Sequence, residues 1–242
     1  MIRTLKLLIK DNLIISKILK LGKKSDLKSI FKKADLNKNS RVIFDVGANV
    51  GSVTLDFLKY FPKSIIWAFE PFPKTFEILK WNIRRYKERV NLNKLGFFNE
   101  NTKKELNITT YHPAHSLIPL HKDFKNSFHF IQEVRTQEIS VMKLDDFVKK
   151  NNIKHINIIK IDVEGVEYEV LEGGQDTLKN KVDSIIIEIS LIRKGRKSDN
   201  LIRVFDFLYK TGFYLFDIYN LTKKTHGNTE ILNEFDCIFK KM

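Results

Sequence analysis

The chain has 242 residues, of which 43% are hydrophobic and 12% aromatic, with only ten Gly and five Pro. Such a composition can bury a real core and excludes disordered, collagen-like and low-complexity chains. Lys and Arg number 43 against 29 Asp and Glu, a formal charge of +14, which invites an anionic partner. The excess is uneven, since residues 1–40 hold eleven basic and three acidic side chains, net +8.

Residues 2–21 read as an amphipathic helix within a basic helical extension over 1–40. Arg3, Lys6, Lys10, Lys17, Lys20 and Lys24 stack on one face, with Leu5, Leu8, Ile15, Ile18 and Leu19 on the other. Two roles stay open for it. The helix packs on the domain with its lysines in water, or residues 1–24 lie on an anionic membrane surface. Lys6, Lys10 and Asp11 interrupt any signal-peptide core, and the longest apolar run, Ile65–Phe69, is far too short to span a bilayer. The lone cysteine, Cys237, cannot close an intrachain disulfide. The expected compartment is the cytoplasm, with a peripheral position on the inner face of a membrane as the variant.

From Arg41 to Met242 the pattern is that of one α/β domain. Arg41–Val46, Ser64–Phe69, Ile156–Ile161 and Ser184–Ile189 are nearly continuous in Val, Ile and Phe, as strands of a parallel sheet covered on both faces are. Residues 51–60, 73–88 and 166–180 have helical period, clearest at Phe76, Leu79 and Ile83. The alternation predicts a doubly wound sheet. Residues 97–143 break the rhythm and are expected to form an irregular insertion with strands at Glu105–Thr110 and Glu138–Lys143, of the kind that serves as a lid or substrate loop. A helix near Asp199–Lys210 and strands at Phe213–Tyr219 and Phe235–Lys240 follow. Trp67, Trp81 and Cys237 read as core.

Each buried strand is predicted to end in a carboxylate: Asp45, Glu70, Asp162 and Glu188. One such acid is most simply a helix cap or a partner of a nearby lysine. Four along one sheet edge call for a ligand, because buried unpaired carboxylates are costly and the crevice of an open parallel sheet lies at its carboxyl edge. The turn after the first strand, Gly47-Ala48-Asn49-Val50-Gly51, frees backbone N–H groups for an anion. It has Asn49 and Ser52 where a dinucleotide fingerprint needs glycine, and no phosphate-loop lysine. Glu70, nineteen residues after Gly51, is placed to hold a ribose. These parts suit S-adenosyl-L-methionine, a nucleoside with a carboxylate and a fixed positive charge, better than NAD. Its carboxylate would face Gly47, Asn49 and Gly51, its ammonium group Asp45 and its ribose Glu70. Phe72 or the loop after Leu95 would cover the adenine.

The blocks VIFDVGANVGSVTLDF (42–57), WAFEPFPKTFEILKWNI (67–83), KLDDF (143–147) and IIKIDVEGVEYEVLEGG (158–174) resemble the FkbM-type methyltransferases. The resemblance covers roughly residues 41–190 and implies a mostly parallel, seven-stranded Rossmann-like methyltransferase sheet with an antiparallel last strand. It also implies S-adenosyl-L-methionine as donor and a hydroxyl oxygen, commonly of a sugar or natural product, as acceptor. Leu95-Gly96-Phe97-Phe98 replaces the family's small-residue turn, and His112–Ile131 follows no family pattern.

A hydroxyl nucleophile needs its proton taken during attack. Asp162 and Glu164 are the catalytic candidates, one of them as general base and Asp162 also orienting donor or acceptor. Glu188 can complete an acidic cluster able to bind Mg²⁺, although no spacing demands a metal. His112 and His115 are rival bases, read here as solvated loop residues, and Asp145 and Asp146 as helix caps. Two other functions remain. The overall charge suggests an RNA 2′-hydroxyl methyltransferase, opposed by the lack of a basic and aromatic platform around the acids. The alternative of another class is a donor-binding module without chemistry.

Overall fold

The computed structural model describes residues 31–32, 36, 39–195, 198–226 and 229–241. The amphipathic segment 2–21 lies outside the described residues. Phe31 and Leu36 are buried, and the Phe31 ring stacks 5.3 Å from Phe57.

Val42–Val46 (β1) leads through the Gly47–Gly51 turn into Ser52–Tyr60 (α1), then Ile65–Phe69 (β2), Pro73–Asn82 (α2) and Val90–Asn93 (β3). Gly96–Phe97 (β4), Thr102–Thr109 (β5), Lys122–Ser127 (α3) and Glu133–Met142 (β6) form the middle of the chain. Leu144–Lys150 (α4), Ile156–Ile161 (β7), Glu167–Glu172 (α5), Gln175–Lys181 (α6) and Val182–Ser190 (β8) come next. Asn200–Lys210 (α7), Phe213–His226 (β9) and Thr229–Lys241 (β10) complete the chain.

The main sheet has the order β3-β2-β1-β7-β8-β10-β9. β3, β2, β1, β7 and β8 are mutually parallel, and β10 runs antiparallel between β8 and β9. Phe44 stands opposite both Trp67 and Ile159 at the centre. One face packs Phe44, Ile159 and Ile187 against Phe147 of α4, Leu171 of α5 and Val204 of α7. The other packs Ile43, Ile66 and Ile158 against Phe57 of α1 and Leu79 of α2. Burial on both faces is why these strands carry unbroken apolar runs. The chain turns from β1 to one side and from β7 to the other, so the gap between their carboxyl ends is where a doubly wound sheet opens a crevice.

Three expectations need correction. The insertion is not irregular throughout, because β5 and β6 pair antiparallel from Thr102↔Val141 to Thr109↔Glu133, and β4 joins β6. Leu106, Ile108, Ile139 and Val141 alternate onto one face of this small sheet and bury Phe72, a period-2 pattern masked by the polar start of β6. The helices expected at 73–88 and 166–180 are each interrupted. α2 ends at Asn82 before a 3-10 turn at Arg84–Tyr86. Asp145 accepts the N–H groups of Asp176 and Thr177 (3.2 and 2.7 Å), which starts α6 afresh. Trp81 is not core but 58% exposed, with the Arg84 guanidinium 4.0 Å from its ring centre. Trp67 packs against Phe44 and Phe147, and Cys237 is buried, as expected. No helix of the described residues is long and apolar enough to cross a membrane.

Candidate active site

At the carboxyl ends of β1, β2, β7 and β8 lies a cavity of about 770 Å³, a size proper to small-molecule sites. Its floor is the Val46–Val50 turn. Gly47 has φ 77°, and a Cβ there would fall 1.9 Å from the Asp162 carbonyl oxygen, so only glycine lets β1 leave the sheet beside the end of β7. Asn49 shares the left-handed conformation at φ 51° and thereby turns its N–H toward β2.

That N–H donates to Glu70 Oε2 (3.0 Å), and the Phe72 N–H donates to Oε1 (2.9 Å). Glu70 is 8% exposed and borders the cavity. Each of its oxygens keeps a second lone pair, so the carboxylate can accept two hydroxyl protons of a ribose. Burial pushes its pKa up to about 7, against the pull of the two backbone N–H groups.

Asp45 lies elsewhere than the sequence suggests. It shares the β1 face of Ile43, turned toward α1, and is 0% exposed. The Thr54 hydroxyl donates to its Oδ2 (2.5 Å), and Lys160 Nζ stands 3.6 Å from Oδ1. An ammonium group in the cavity therefore does not meet Asp45. Phe72 is likewise withdrawn, because its ring is 2% exposed under the small sheet, edge-on to His115. It serves the site through its backbone N–H. Leu95, Gly96 and Phe97 do border the cavity, where the adenine cover was expected. Gly51, at φ 90°, opens α1 below the turn.

Lys160 escaped the sequence reading. It stands next to the end of β7, the one charged residue in that strand, and that lone charge is the available signal. Its ammonium lies 3.0 Å from Asp162 Oδ2 and donates to the Gly47 carbonyl (3.1 Å). Burial opposes its charge, but the carboxylates of Asp162 and Asp45 hold its pKa above the usual lysine value. It is a fixed cation that ties β1, the turn and Asp162 together.

Asp162, Glu164 and Glu188 converge with oxygens within 4.8 Å of one another, although Glu188 projects from within β8 and not from its end. Burial raises Glu164 well above the carboxylate range, opposed by Arg193 and helped by Asp162 and Glu234; burial and the neighbouring acids do the same to Glu188. Glu234 of β10 also borders the cavity; the long β9–β10 hairpin, longer than predicted, carries it there. The trio can accept protons or, by its oxygen donors, hold a divalent cation.

The other wall comes from the insertion and is aromatic: Tyr111, Phe124, Phe128 and Phe130, with His115 beside them. His115 is not a solvated loop residue. Its Nδ1 accepts the Thr109 N–H (3.1 Å), so that nitrogen is not available as a base in this arrangement. Asp146 accepts from Asn101 Nδ2 (2.6 Å), a structural role in keeping with that of Asp145. The His112 side chain lies outside the described residues.

The family profile for the methyltransferase FkbM domain matches residues 45–215. Methyltransferase 1 of Beauveria bassiana (strain ARSEF 2860) is 30% identical over 159 residues, covering 61% of this chain and 64% of that protein. The 2-O-methyltransferase NoeI of Sinorhizobium fredii is 28% identical over 154 residues, covering 59% and 61%. The 31-O-demethyl-FK506 methyltransferase FkbM of Streptomyces tacrolimicus is 26% identical over 171 residues, covering 61% and 65%. The chain thus spans somewhat under two thirds of the length of these curated relatives. Among solved structures, an rRNA methylase from Streptococcus thermophilus superposes with a TM-score of 0.52 at 13% identity, over 91% of this chain and 99% of that one. A precorrin-6y C5,15-methyltransferase from Geobacter metallireducens GS-15 gives 0.51 at 15% identity, over 92% of each. These two share the fold.

Proposed function

The chain belongs to the FkbM methyltransferase domain family, and from that premise we propose that it transfers the methyl group of S-adenosyl-L-methionine to a hydroxyl oxygen of a sugar, glycan or small natural product. The observation that carries this reading is one cavity with two ends. The Gly47–Gly51 turn and Glu70 form a phosphate-free nucleoside seat, and Asp162, Glu164 and Glu188 gather at the far side against an aromatic wall. The donor's ribose hydroxyls bond to Glu70, and its carboxylate meets the turn. Its sulfonium, whose positive charge is lost on transfer, faces the acids.

Transfer is an in-line displacement, so the protein's main work is to align oxygen, methyl carbon and sulfur. The acceptor oxygen bonds to the methyl carbon as the carbon–sulfur bond breaks, and S-adenosylhomocysteine leaves neutral. The acceptor's proton passes to Asp162 or Glu164. Position favours Glu164, whose turn is bonded to the acceptor-side wall through Ser116 and held beside it by Arg193. Lys160, held protonated by its two carboxylates, orients Asp162 and takes no proton. The three carboxylates also suit Mg²⁺, which would polarise the acceptor hydroxyl; activity that survives exhaustive chelation excludes that role.

Relatives point the same way for the acceptor. NoeI is a 2-O-methyltransferase, and the Haloferax volcanii relative AglP, 28% identical over 148 residues, is a hexuronic acid methyltransferase. Residues 1–24, with seven basic side chains against one acidic, would hold the enzyme to an anionic membrane. The deciding experiment supplies methyl-labelled donor to the protein with polysaccharide, lipid, RNA and small-molecule fractions. Label in the glycan or small-molecule fraction is expected. Label in RNA would overturn the acceptor class, and donor binding without any transfer would leave a binding module.

A further inference from the structure

The largest fully buried side chain belongs to Arg193, 1% exposed, in the loop after β8. An arginine so placed must spend its donors well, since an unpaired buried guanidinium is among the costliest groups a fold can hold. Its Nε donates to the Glu164 carbonyl (3.1 Å), and its Nη2 donates to the Ala114 carbonyl. Nη1 makes no hydrogen bond among the described residues and faces Glu164 Oε2 at 3.8 Å. The guanidinium carbon lies 4.5 Å from the centre of the Phe124 ring. One fork thus touches the acidic turn and the insertion at once.

The turn it grips is under strain. Glu164 is a non-glycine residue at φ 58°, followed by Gly165 at φ 103°. Such a backbone persists only where its surroundings over-determine it. Here they do: the Ser116 hydroxyl also donates to the Glu164 carbonyl (2.6 Å), and a Cβ on Gly165 would fall 2.5 Å from Arg193 Cγ and 2.7 Å from Ile118 Cδ1. Ala114, Ser116, Ile118 and Phe124 all belong to the segment that builds the cavity's aromatic wall. The wall and the turn are therefore fastened to each other through Arg193 and Ser116, and not merely adjacent.

We propose that Arg193 is a positioning residue for methyl transfer, fastening the acceptor wall of residues 111–131 to the Asp162–Gly165 turn so that acceptor binding sets the Glu164 carboxylate against the reacting hydroxyl. This deepens the proposed function and rests on it. The fork is essential to the role, because lysine supplies the charge but a single point donor that cannot serve both carbonyls. Nη1, 3.8 Å from Glu164 Oε2, adds the charge that keeps the carboxylate on the side of the wall.

The test compares Arg193→Lys, Arg193→Met and Ser116→Ala with the unaltered protein. Hydrogen exchange is followed at amides 114–118 and 163–166 with S-adenosylhomocysteine bound, which needs no acceptor. Exchange in both segments is expected to quicken together, by about tenfold or more in Arg193→Lys as charge-assisted bonds are lost, while affinity for S-adenosylhomocysteine by calorimetry stays within about twofold. With the acceptor that takes label in the fraction assay, KM for the acceptor rises and the donor's does not. Ser116→Ala shows the same split to a smaller degree, and it carries the test if Arg193→Met does not fold. Unchanged exchange in folded Arg193→Lys overturns the inference, as does a loss of melting temperature with acceptor KM unmoved. Failure of the unaltered protein to methylate anything would instead count against the proposed function.

Discussion

Replacing Glu70 tests the donor seat most directly. Both carboxylate oxygens already accept a backbone N–H, at 3.0 and 2.9 Å, and each has one lone pair left for a ribose hydroxyl. Hydrogen bonds to a charged acceptor contribute about 1.5–3 kcal/mol each net of water, and water entering the space left by the side chain recovers part of that for the two hydroxyls. Glu70→Ala should therefore weaken S-adenosyl-L-methionine binding by about 1–3 kcal/mol, roughly five- to 150-fold. The same change leaves the Asn49 and Phe72 N–H groups without their acceptor, so melting temperature must be followed beside the titration. Glu70→Gln keeps the shape and one acceptor oxygen, and separates the two effects. A pH series sharpens the test. The free carboxyl has a pKa near 7, and the hydroxyls bind its ionised form. Affinity should be level above pH 7 and fall by about tenfold per pH unit below it. In Glu70→Gln, where only the ligand's own ionisation remains, that slope should vanish. Calorimetry giving equal affinity for Glu70→Ala and the parent, or an identical pH slope in Glu70→Gln, would refute the seat.

Asp162→Asn and Glu164→Gln should both retain donor binding, and the one that removes the general base should lose about 10²–10⁴ in kcat; near-normal turnover in both would place the base elsewhere. Lys160→Met strands the buried Asp45 and the half-buried Asp162, and should destabilise the fold by about 3–5 kcal/mol. Adding Asp45→Asn should recover part of that loss in chemical denaturation, and no recovery would mean the pair is not coupled. Gly47→Ala forces a Cβ against the Asp162 carbonyl in a left-handed backbone and should cost about 2 kcal/mol or more together with donor binding; a parental melting curve would contradict it. A chain lacking residues 1–30 should keep its melting temperature and lose sedimentation with anionic vesicles, and adhesion that survives the deletion would end the membrane proposal.

Much of this was legible in the chain itself. Apolar runs such as Ile65–Phe69 read as strands covered on both sides, and the acids beside them mark one edge of the sheet without any coordinates. The Gly47–Gly51 turn announced its left-handed backbone through its glycines, and Glu70 its place through its distance from them. Other features depend on which way a side chain leaves its strand or on which distant segment meets it. Asp45 counts among the ligand-facing acids by sequence because strand position is legible there and strand face is not. Phe72 reads as an adenine cover by sequence because nothing local shows that β5 and β6 bury it.

The sequence by itself thus determined the alternation of buried strands and helices and the edge of the sheet where the acids gather, since periodicity and turn residues are local properties. Only the tertiary structure decided that Lys160 bridges Asp45 and Asp162, that Glu234 joins Glu188 at the same cavity, and that Arg193 binds the insertion to Glu164. Those pairings join residues from separate strands and loops. They exist only once the long-range contacts of the sheet have formed, and burial then gives each charge its partner.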